Sequence, residues 1–154
     1  MQNSYGVKPY SQPYKSDGTR PLIGSDGLAT LVVSGTYYFP LGGKEATCES
    51  VHAHWPGALV ITSAVIEDSD MAETDATYYS STLGHWIPQN PSAAIVPVVG
   101  TGVTATAATV AATGDAGGGA ALWNLSGDGS LRKRLKVVVG ATGGTMLVAQ
   151  NGKS

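Results

Sequence analysis

LKVVVGATGGTMLVAQ (Leu135–Gln150) gives the strongest indication of the fold class in this chain. Two apolar, β-branched runs lie on either side of glycine-rich residues that end in Gly143-Gly144. Short apolar runs bounded by glycine are typical of strands joined by a turn. The preceding AAIVPVV (Ala93–Val99) and VTATAATVAA (Val103–Ala112) have the same character, and neither offers the apolar stripe of an amphipathic helix. The second half of the chain therefore predicts β structure throughout.

The first half of the chain adds strands of the same kind. Thr47–Trp55 and Ala58–Ser69 are alternating or β-branched runs, and Leu28–Leu41 is a third run with a bend predicted at Ser34-Gly35. Further strands are predicted at 93–99, 103–112, 119–125, 131–139 and 145–150. Short strands at this spacing, separated by glycine-rich turns, indicate an all-β fold. We predict an antiparallel β-sandwich, jelly-roll-like, of about eight strands.

The segment TCESVHAHW (Thr47–Trp55) has the clearest face pattern. Alternate residues of a strand point to opposite sides, so this segment predicts one buried face and one polar face. The buried face is predicted to hold Val51, Ala53 and Trp55, and the polar face Ser50, His52 and His54. Trp123 lies in a similar strand pattern, so it and Trp55 are predicted to be core residues.

Residues 1–26 differ from the rest, so we divide the chain into an extended N-terminal arm, 1–26, and a single β-sandwich domain, 27–154. Three prolines and the lack of apolar periodicity disfavour a helix in the arm. Its spaced tyrosines could each contribute a large contact area at a small loss of side-chain entropy. Two interpretations stay open, a frayed tail or an arm that docks on a neighbour. The contact candidates in the arm are Tyr5, Tyr10 and Tyr14.

A long connection, residues 70–92, is the least repetitive part of the chain. Connections of this length within a compact domain are usually functional or form an interface. We predict an ordered segment with room for one short helical turn. Trp86, in His85-Trp86-Ile87-Pro88, is its candidate interface anchor.

Charge and composition limit the classes of function. Charged residues make up 13% of the 154 residues, against about 25% in ordinary soluble domains. A surface with so few ions loses little solvation on contact, which suits a protein that works within an assembly, although a Thr/Gly-rich secreted domain has the same composition. The net charge of −2 disfavours broad binding to nucleic acid. The sequence has neither an apolar run of transmembrane length nor an apolar signal core, so we expect synthesis in a cytoplasm and no membrane partner.

The one basic run lies on a predicted strand. Arg132-Lys133-Arg134 begins the strand 131–139, and alternation places Arg132, Arg134 and Lys136 on one face. Two roles are open for this stripe: it meets acidic loops of a partner, or it keeps an edge strand soluble.

Three groups of residues could carry chemistry, and none predicts a catalytic site. His52 and His54, with His85 or a carboxylate as third ligand, could bind Zn or Cu from a strand, but we favour exposed polar residues and expect no metal. The acidic residues from Glu67 to Asp75 lack the spacing of a calcium loop and predict a solvated turn. Cys48 has no local base and is predicted to be buried and inert. We expect no cofactor and no catalytic residue.

Three segments of the chain resemble small structural proteins of tailed-bacteriophage virions. The segments are VHAHWPGALVITSAVIEDSD, YYSSTLGHWIPQNPSAA and GGGAALWNLSGDGSLRKRLKVVVGATGGTMLVAQNGK, which together span about residues 51–153. The most specific parts are RLKVVVGATGGT (Arg134–Thr145) and HWIPQNPSAA (His85–Ala94). The resemblance is to the head-decoration, or cement, class of β-sandwich proteins, which sit on an assembled capsid.

The resemblance implies a non-enzymatic protein that binds and stabilises the assembled capsid. Its partner would be the major capsid protein, and it would form a homo-oligomer, a trimer rather than a dimer. N-terminal arms that reach neighbouring capsid subunits are common in that class, which suits residues 1–26. The protein would be made in the host cytoplasm and located on the capsid surface of the virion. The residues expected to make contacts are Tyr5, Tyr10, Tyr14, Trp86, Arg132, Arg134 and Lys136.

A different class of function stays open. A carbohydrate- or host-surface-binding β-sandwich module of a phage tail or fibre would need exposed aromatic residues along a groove with an acidic partner. Trp86, Tyr78 and Tyr79, with Asp75, could supply those groups.

Overall fold

A computed structural model of the chain describes residues 10–42, 47–88, 96–125 and 132–153. These residues form strands, turns and irregular segments, and no helix occurs among them. Antiparallel strands build two sheets that share one apolar core, which confirms the predicted all-β sandwich. The predicted contact residue Tyr5 lies outside the described residues.

The described residues contain twelve strands. In chain order they are β1 (Tyr14–Lys15), β2 (Ala29–Leu31), β3 (Thr36–Leu41), β4 (Thr47–Trp55), β5 (Val60–Ser69), β6 (Ile87–Pro88), β7 (Val98–Val99), β8 (Val103–Thr106), β9 (Thr109–Thr113), β10 (Gly119–Asn124), β11 (Arg132–Val139) and β12 (Gly144–Lys153).

The strands form a larger sheet of order β1-β3-β11-β5-β9-β8, with β6 also paired to β5, and a smaller sheet of order β2-β12-β4-β10-β7. Without the short strands β1, β6 and β7 and the edge strand β8, the two orders are β3-β11-β5-β9 and β2-β12-β4-β10. The chain crosses between sheets at every connection of these eight strands except β5 to β9. This order is consistent with a jelly-roll-like arrangement, in which eight strands form two Greek keys.

The core lies between the inner faces of the two sheets. Val51, Ala53 and Trp55 of β4 are buried in it, and the intervening histidines are exposed, as the alternation predicted. Trp123 is also buried, and its indole nitrogen donates to the Ala108 carbonyl oxygen at 2.9 Å. The predictions of two core tryptophans and of a buried Cys48 are therefore confirmed.

The prediction of one strand at 103–112 is wrong, because the chain reverses within it. Thr106 of β8 lies opposite Thr109 of β9, so the two strands form a hairpin with a two-residue loop. In that loop Ala107 and Ala108 have φ angles of 50° and 68°. Positive φ at both central residues marks a type I′ turn, which usually contains Asn-Gly. Nothing in Ala-Ala signals such a turn, so local sequence did not reveal it.

The predicted run Leu28–Leu41 also divides, at its expected bend. β2 ends at Leu31 and joins the smaller sheet, whereas β3 begins at Thr36 and joins the larger one. Ser34 between them has a φ of 60°. These divisions, together with the short strands, explain why the structure has more strands than the eight predicted.

β5 changes its face pattern at an irregularity in its pairing with both neighbouring strands. Ile61 and Ala64 are both buried in the core although they are three residues apart. A strand without this irregularity would place Ile61 and Ala64 on opposite sides, so the simple alternation expected of a strand is wrong for Ala58–Ser69 after Ile61. An extra residue of this kind is a β-bulge, and it reverses the side to which the following residues point. Ile66 consequently faces the core and Glu67 faces outward.

Residues 10–26 lie against the sandwich. β1 pairs with β3, with Tyr14 opposite Tyr38. The Ser11 amide donates to the Val148 carbonyl oxygen at 2.8 Å, and its hydroxyl donates to the Pro40 carbonyl oxygen at 2.6 Å. Because Val148 belongs to β12 and Pro40 to β3, Ser11 joins the two sheets.

Candidate interaction surfaces

A buried ion pair lies on the outer face of the larger sheet. Arg134 of β11 and Glu67 of β5 stand directly opposite each other, and both are buried. Arg134 Nε and Nη2 are 2.8 and 2.7 Å from the same carboxylate oxygen, Glu67 Oε1. Arg134 Nη1 donates to the carbonyl oxygens of Tyr78 and Ser80 at 3.0 and 2.8 Å. The guanidinium therefore ties the connection of residues 70–88 to the sheet.

Two aromatic rings contact the same guanidinium. Arg134 Cζ is 4.1 Å from the ring centroid of Tyr38 and 4.4 Å from that of Trp86. An aromatic face attracts a cation, and the attraction is larger where water is excluded. Trp86 is itself only 6% exposed, and its indole nitrogen donates to the Thr77 carbonyl oxygen at 2.9 Å. Trp86 thus covers the ion pair on the side away from the sheet.

Arg132, on the same face of β11, binds the first residues of the 70–88 connection. Its Nη2 donates to the carbonyl oxygen of Met71 at 3.0 Å and to that of Ala76. Its Cζ lies 5.1 Å from the ring centroid of Tyr78 and 5.1 Å from that of Trp86. The buried Nε and Nη1 make no hydrogen bond. The two rings therefore shield the part of the guanidinium that lacks one.

The solvated turn predicted from Glu67 to Asp75 is wrong for its first two residues. Glu67 and Asp68 belong to β5, and both pair with bases of β11. The Asp68 Oδ1 atom is 3.0 Å from Lys133 Nζ, directly across the strand pair. Asp70, Glu73 and Asp75 follow the strand and are exposed.

Burial shifts the pKa values of three groups around the ion pair. It lowers the pKa of the Arg134 guanidinium, an effect that the Glu67 carboxylate opposes. It raises the pKa of the Tyr38 and Tyr78 phenols, and the nearby guanidinium of Arg134 or Arg132 opposes that rise. Perturbed pKa values can mark a catalytic site. Here Arg134 Nε, Nη1 and Nη2 all bind groups of the chain itself, which is the arrangement of a structural cluster.

These contacts correct the prediction that the basic residues of β11 protect an edge strand and the prediction that Arg134 and Trp86 contact a partner. Arg132, Arg134 and Lys136 share one face of β11, but β11 lies between β3 and β5, so they do not protect an edge strand. Arg134 is only 3% exposed. Arg134 and Trp86 cover each other and leave almost no surface for a partner, so we no longer propose either as a contact residue. Lys136 is half-buried.

The 70–88 connection ends in an apolar tip that we call the Leu83 loop, residues 80–87. Leu83 is 99% exposed, more than any other large apolar side chain of the described residues, and Ile87 is 63% exposed. Burial of one leucine contributes about 1.5–3 kcal/mol, so this tip presents a substantial unsatisfied apolar area.

The Leu83 loop is braced from within. Ser80 Oγ lies 3.0 Å from His85 Nδ1, and the Ser80 carbonyl oxygen accepts from Arg134. Gly84 has a φ of 89°, a left-handed conformation that glycine adopts without strain. Leu83 therefore projects from a turn whose two ends are both held.

The outer face of the smaller sheet has a different composition, and we call it the histidine face. His52 of β4 lies opposite Leu122 and Ala149, and His54 lies opposite Ala120 and Leu147. Residues opposite each other in an antiparallel pair lie on the same side of the sheet. The histidine face is thus made of His52, His54, Ala120, Leu122, Leu147 and Ala149.

Two exposed residues border the histidine face. Tyr10, 48% exposed, forms a β-bridge with Ala149. Val99, 72% exposed, lies opposite Ala120. None of these eight named residues is Asp, Glu, Lys or Arg, and the nearest charged residue of β4 is the exposed Glu49, next to Ser50.

Among the described residues, none is placed as a third ligand to the two histidines. His85 belongs to the Leu83 loop and binds Ser80 on the outer side of the other sheet. Within the four described stretches, no group of three or more His, Cys, Asp or Glu residues is placed to hold a metal ion. His52 and His54 are exposed polar residues of a sheet face.

The two described tyrosines of the N-terminal segment lie on different sides of the sandwich. Tyr14 is half-buried, its ring centroid is 5.5 Å from that of Tyr79, and Arg20 Cζ lies 3.7 Å above its ring. Tyr10 remains exposed beside the histidine face. A contact role for either tyrosine stays a prediction.

Leu83 is the residue that sequence reasoning overlooked. It stands between Thr82 and Gly84, and a single apolar residue before a turn glycine is a weak signal, since apolar side chains are common on protein surfaces. Trp86, three residues later, is buried against Arg134, whereas Leu83 points away from the sandwich and is exposed. Trp86 is the largest apolar residue of the loop, and yet Leu83 is the exposed one.

Comparison with protein-family models, with curated proteins and with solved structures found no match to this chain. In the part of the chain that the structure describes, no helix is long and apolar enough to cross a membrane. The function of this chain is therefore inferred from its exposed surfaces, the Leu83 loop and the histidine face.

Proposed function

We propose that this chain is a non-enzymatic structural protein of a tailed-phage virion that binds the outside of the assembled head and stabilises it. The observation that carries the proposal is the Leu83 loop, a 99% exposed leucine displayed on a braced turn. The resemblance of the sequence supplies the partner, the major capsid protein. Synthesis in the host cytoplasm and a final location on the capsid surface are parts of the same proposal.

The braced loop is suited to binding, because binding need not order it. Arg134 already holds the carbonyl oxygens of Tyr78 and Ser80. Ordering a flexible segment lowers affinity, and a segment that is ordered beforehand avoids that loss. Leu83 can then fill an apolar pocket of the partner, with Ile87 beside it.

The surrounding sequence favours an uncharged contact. From Ala76 to Gly114 the chain contains no Asp, Glu, Lys or Arg. Charged groups lose solvation when they are buried without partners. The Leu83 loop can therefore approach a partner surface without removing water from an ion of its own segment.

Many copies bound to one phage head would add up weak individual contacts. Each copy would bury a modest area across neighbouring capsid subunits, and an oligomer that engages two or more sites at once gains about 10²–10⁴ in affinity. The summed contacts would tie subunits together and resist the outward pressure of packaged DNA. This mechanism is mechanical and needs no reacting group.

Co-sedimentation with emptied heads tests the proposal. The wild-type chain at micromolar concentration should pellet with heads and remain in the supernatant without them. Leu83→Ser should weaken binding about tenfold or more, because loss of a buried leucine removes about 1.5–3 kcal/mol. Val33→Ser is the matched control, since Val33 is 55% exposed in the turn between β2 and β3, outside the predicted arm, and should be replaceable without effect.

Failure of the wild-type chain to pellet with heads would refute the proposal. Equal binding by wild type and Leu83→Ser would refute the Leu83 loop as the contact and leave head binding to another surface.

No observation favours the carbohydrate-binding alternative. The ring centroids of Tyr78 and Trp86 lie 5.5 Å apart, and both rings contact Arg132. Tyr79 packs against Tyr14. These rings contact other parts of the same chain, so they are not arranged as a free platform for a sugar. A glycan array tests this alternative directly.

A further inference from the structure

The N-terminal segment 10–20, which we call the strap, lies against the edge of the larger sheet. Ser11 holds its first end through hydrogen bonds to both sheets. Tyr14 lies directly opposite Tyr38 of β3, and residues opposite each other in an antiparallel pair share one side of the sheet. The Tyr38 ring contacts Arg134, so this side is the outer face that carries the buried ion pair. The strap therefore reaches the outer face of the larger sheet.

The second half of the strap is a compact turn that its own hydrogen bonds hold. The Lys15 amide donates to the Thr19 carbonyl oxygen at 2.7 Å, and the Gly18 amide donates to the Lys15 carbonyl oxygen at 2.9 Å. The Asp17 carboxylate accepts from the amide and the hydroxyl of Thr19 at 2.9 and 2.6 Å. Because the turn holds its own shape, it presents a defined surface to the rest of the chain.

Tyr79 is the residue of the 70–88 connection that the strap contacts. Its ring centroid lies 5.5 Å from that of Tyr14, with the two rings tilted by 47°. A Cβ atom added at Gly18 would lie 3.0 Å from Tyr79 Cζ, so the ring packs directly on the glycine of the turn. Arg20 Cζ lies 3.7 Å from the ring centroid of Tyr14. Tilted aromatic pairs and cations above rings add attraction beyond the area that they bury, so this contact favours one position of Tyr79.

Two routes connect the strap to the Leu83 loop, and both end at Ser80. The first route is the chain itself, because Ser80 follows Tyr79 directly and its hydroxyl braces the loop from within. The second route runs through the sheet. Tyr14 lies opposite Tyr38, and the Tyr38 ring contacts Arg134. Arg134 in turn donates to the Ser80 carbonyl oxygen, so a displaced strap would weaken both supports of the loop.

We propose that the strap is a conformational lock on the Leu83 loop: docked on Tyr79 it holds the loop in one geometry, and its displacement lets the loop open. This role rests on the proposed function only in taking the Leu83 loop as the binding element. β1 has two residues, and most strap residues after it are exposed, which are features of segments that open without global unfolding. Coupling of this kind is reciprocal, so a partner that binds the ordered loop also favours the docked strap.

Hydrogen exchange of the full chain, measured without heads, tests the lock. Tyr14→Ala removes the ring that Tyr79 contacts, and the amides of residues 79–87 should exchange about three- to tenfold faster. The β8–β9 hairpin lies at the opposite edge of the same sheet, so its amides should keep their wild-type rates. Tyr10→Ala is the matched control, because it makes the same change at the other end of the strap, beside the histidine face, and should not alter the loop.

A double variant tests whether the strap acts through Tyr79. Tyr79→Ala should also accelerate exchange in the Leu83 loop. Tyr14→Ala should add less in the Tyr79→Ala background than in the wild type, because the contact between the two rings is already lost. Additive effects of the two substitutions would overturn this route.

The outcomes separate the lock from head binding. Loop rates that Tyr14→Ala leaves unchanged, or that Tyr10→Ala raises as much, would overturn the lock even if the wild type pellets with heads. An equal acceleration in the β8–β9 hairpin would also overturn it, because that result indicates a general loss of stability. Failure of the wild type to pellet with heads would refute the proposed function alone, since the exchange rates are measured without heads.

Discussion

The outer face of the larger sheet carries paired charges beneath residues 70–88, whereas on the outer face of the smaller sheet the described residues around His52 and His54 are uncharged. On the first face Arg134 and Glu67 are buried together, and Trp86 covers them. On the second face His52 and His54 stand exposed among small and apolar residues. The chain has few charged residues, and several of them serve internal contacts of one sheet.

The buried ion pair of the larger sheet contributes more to conformation than to net stability. Such a pair loses solvation, so it is weak support for stability by itself, although removing one partner is strongly destabilising. The Arg134 guanidinium also holds two carbonyl oxygens of the 70–88 connection. We infer that the pair specifies one conformation of that connection, and hence the position of Leu83. The histidine face needs no such device, because a regular sheet already determines its shape.

The largest effect on the free energy of unfolding is expected at the buried ion pair on the outer face of the larger sheet. Arg134→Met leaves Glu67 buried without its partner, so the free energy of unfolding in urea should fall by about 3–5 kcal/mol. The double variant Arg134→Met/Glu67→Met should recover most of this loss, because both charges are then absent. A single variant within about 1 kcal/mol of wild type would contradict the description of this pair as buried and coupled.

A smaller effect on the free energy of unfolding is expected at Trp86, which covers the ion pair. Trp86→Phe removes the hydrogen bond to Thr77 and should lower the free energy of unfolding by about 1 kcal/mol. The amides of the Leu83 loop should also exchange hydrogen faster. Trp123→Phe is a matched control, because it loses an equivalent bond to Ala108 inside the core. If both variants accelerate exchange in residues 80–87 equally, Trp86 has no special role in bracing the loop.

At alkaline pH the free energy of unfolding should fall gradually, because two tyrosines on the outer face of the larger sheet have raised pKa values. Burial raises the pKa of Tyr38 and of Tyr78 above the ordinary value of 10.0, so the folded state favours the neutral phenols. Their contribution is present in full below pH 10.0 and is lost as the pH rises through the higher folded values. Urea unfolding between pH 8 and about 11 should show this loss, and Tyr78→Phe should reduce it. Identical pH profiles for variant and wild type would exclude Tyr78 as a source.

The smallest effect on stability is expected at the histidine face. His52→Lys changes an exposed side chain that no described segment covers, so the free energy of unfolding should change by about 0.5 kcal/mol or less. A loss above about 2 kcal/mol would mean that the histidine face packs against the chain itself.

Much of the fold could be predicted from local pattern. The alternation in Thr47–Trp55 correctly separated the core residues from the two exposed histidines, because a strand turns successive side chains to opposite sides. The same rule failed in β5, where the bulge after Ile61 reversed the pattern. It also failed at Ala107-Ala108, where a tight turn formed from residues that rarely adopt positive φ.

The candidate surfaces were less predictable. The length of the 70–92 connection pointed to the correct region, but the residue chosen there, Trp86, is buried and Leu83 is exposed. A large aromatic residue fits equally well as an anchor for a partner or as a lid on its own domain. Only the position of Arg134 beneath it distinguishes the two.

Most strand positions and turns follow from local sequence, because alternation, β-branching and glycine are properties that act on the nearest few residues. The tertiary structure alone decided that Arg134 meets Glu67, 67 residues earlier in the chain, that Trp86 closes over them, and that Leu83 is left outside. Those outcomes depend on sheet order, register and one bulge. They require all strands to be in place, since a shift of one residue would turn every one of these side chains to the opposite face.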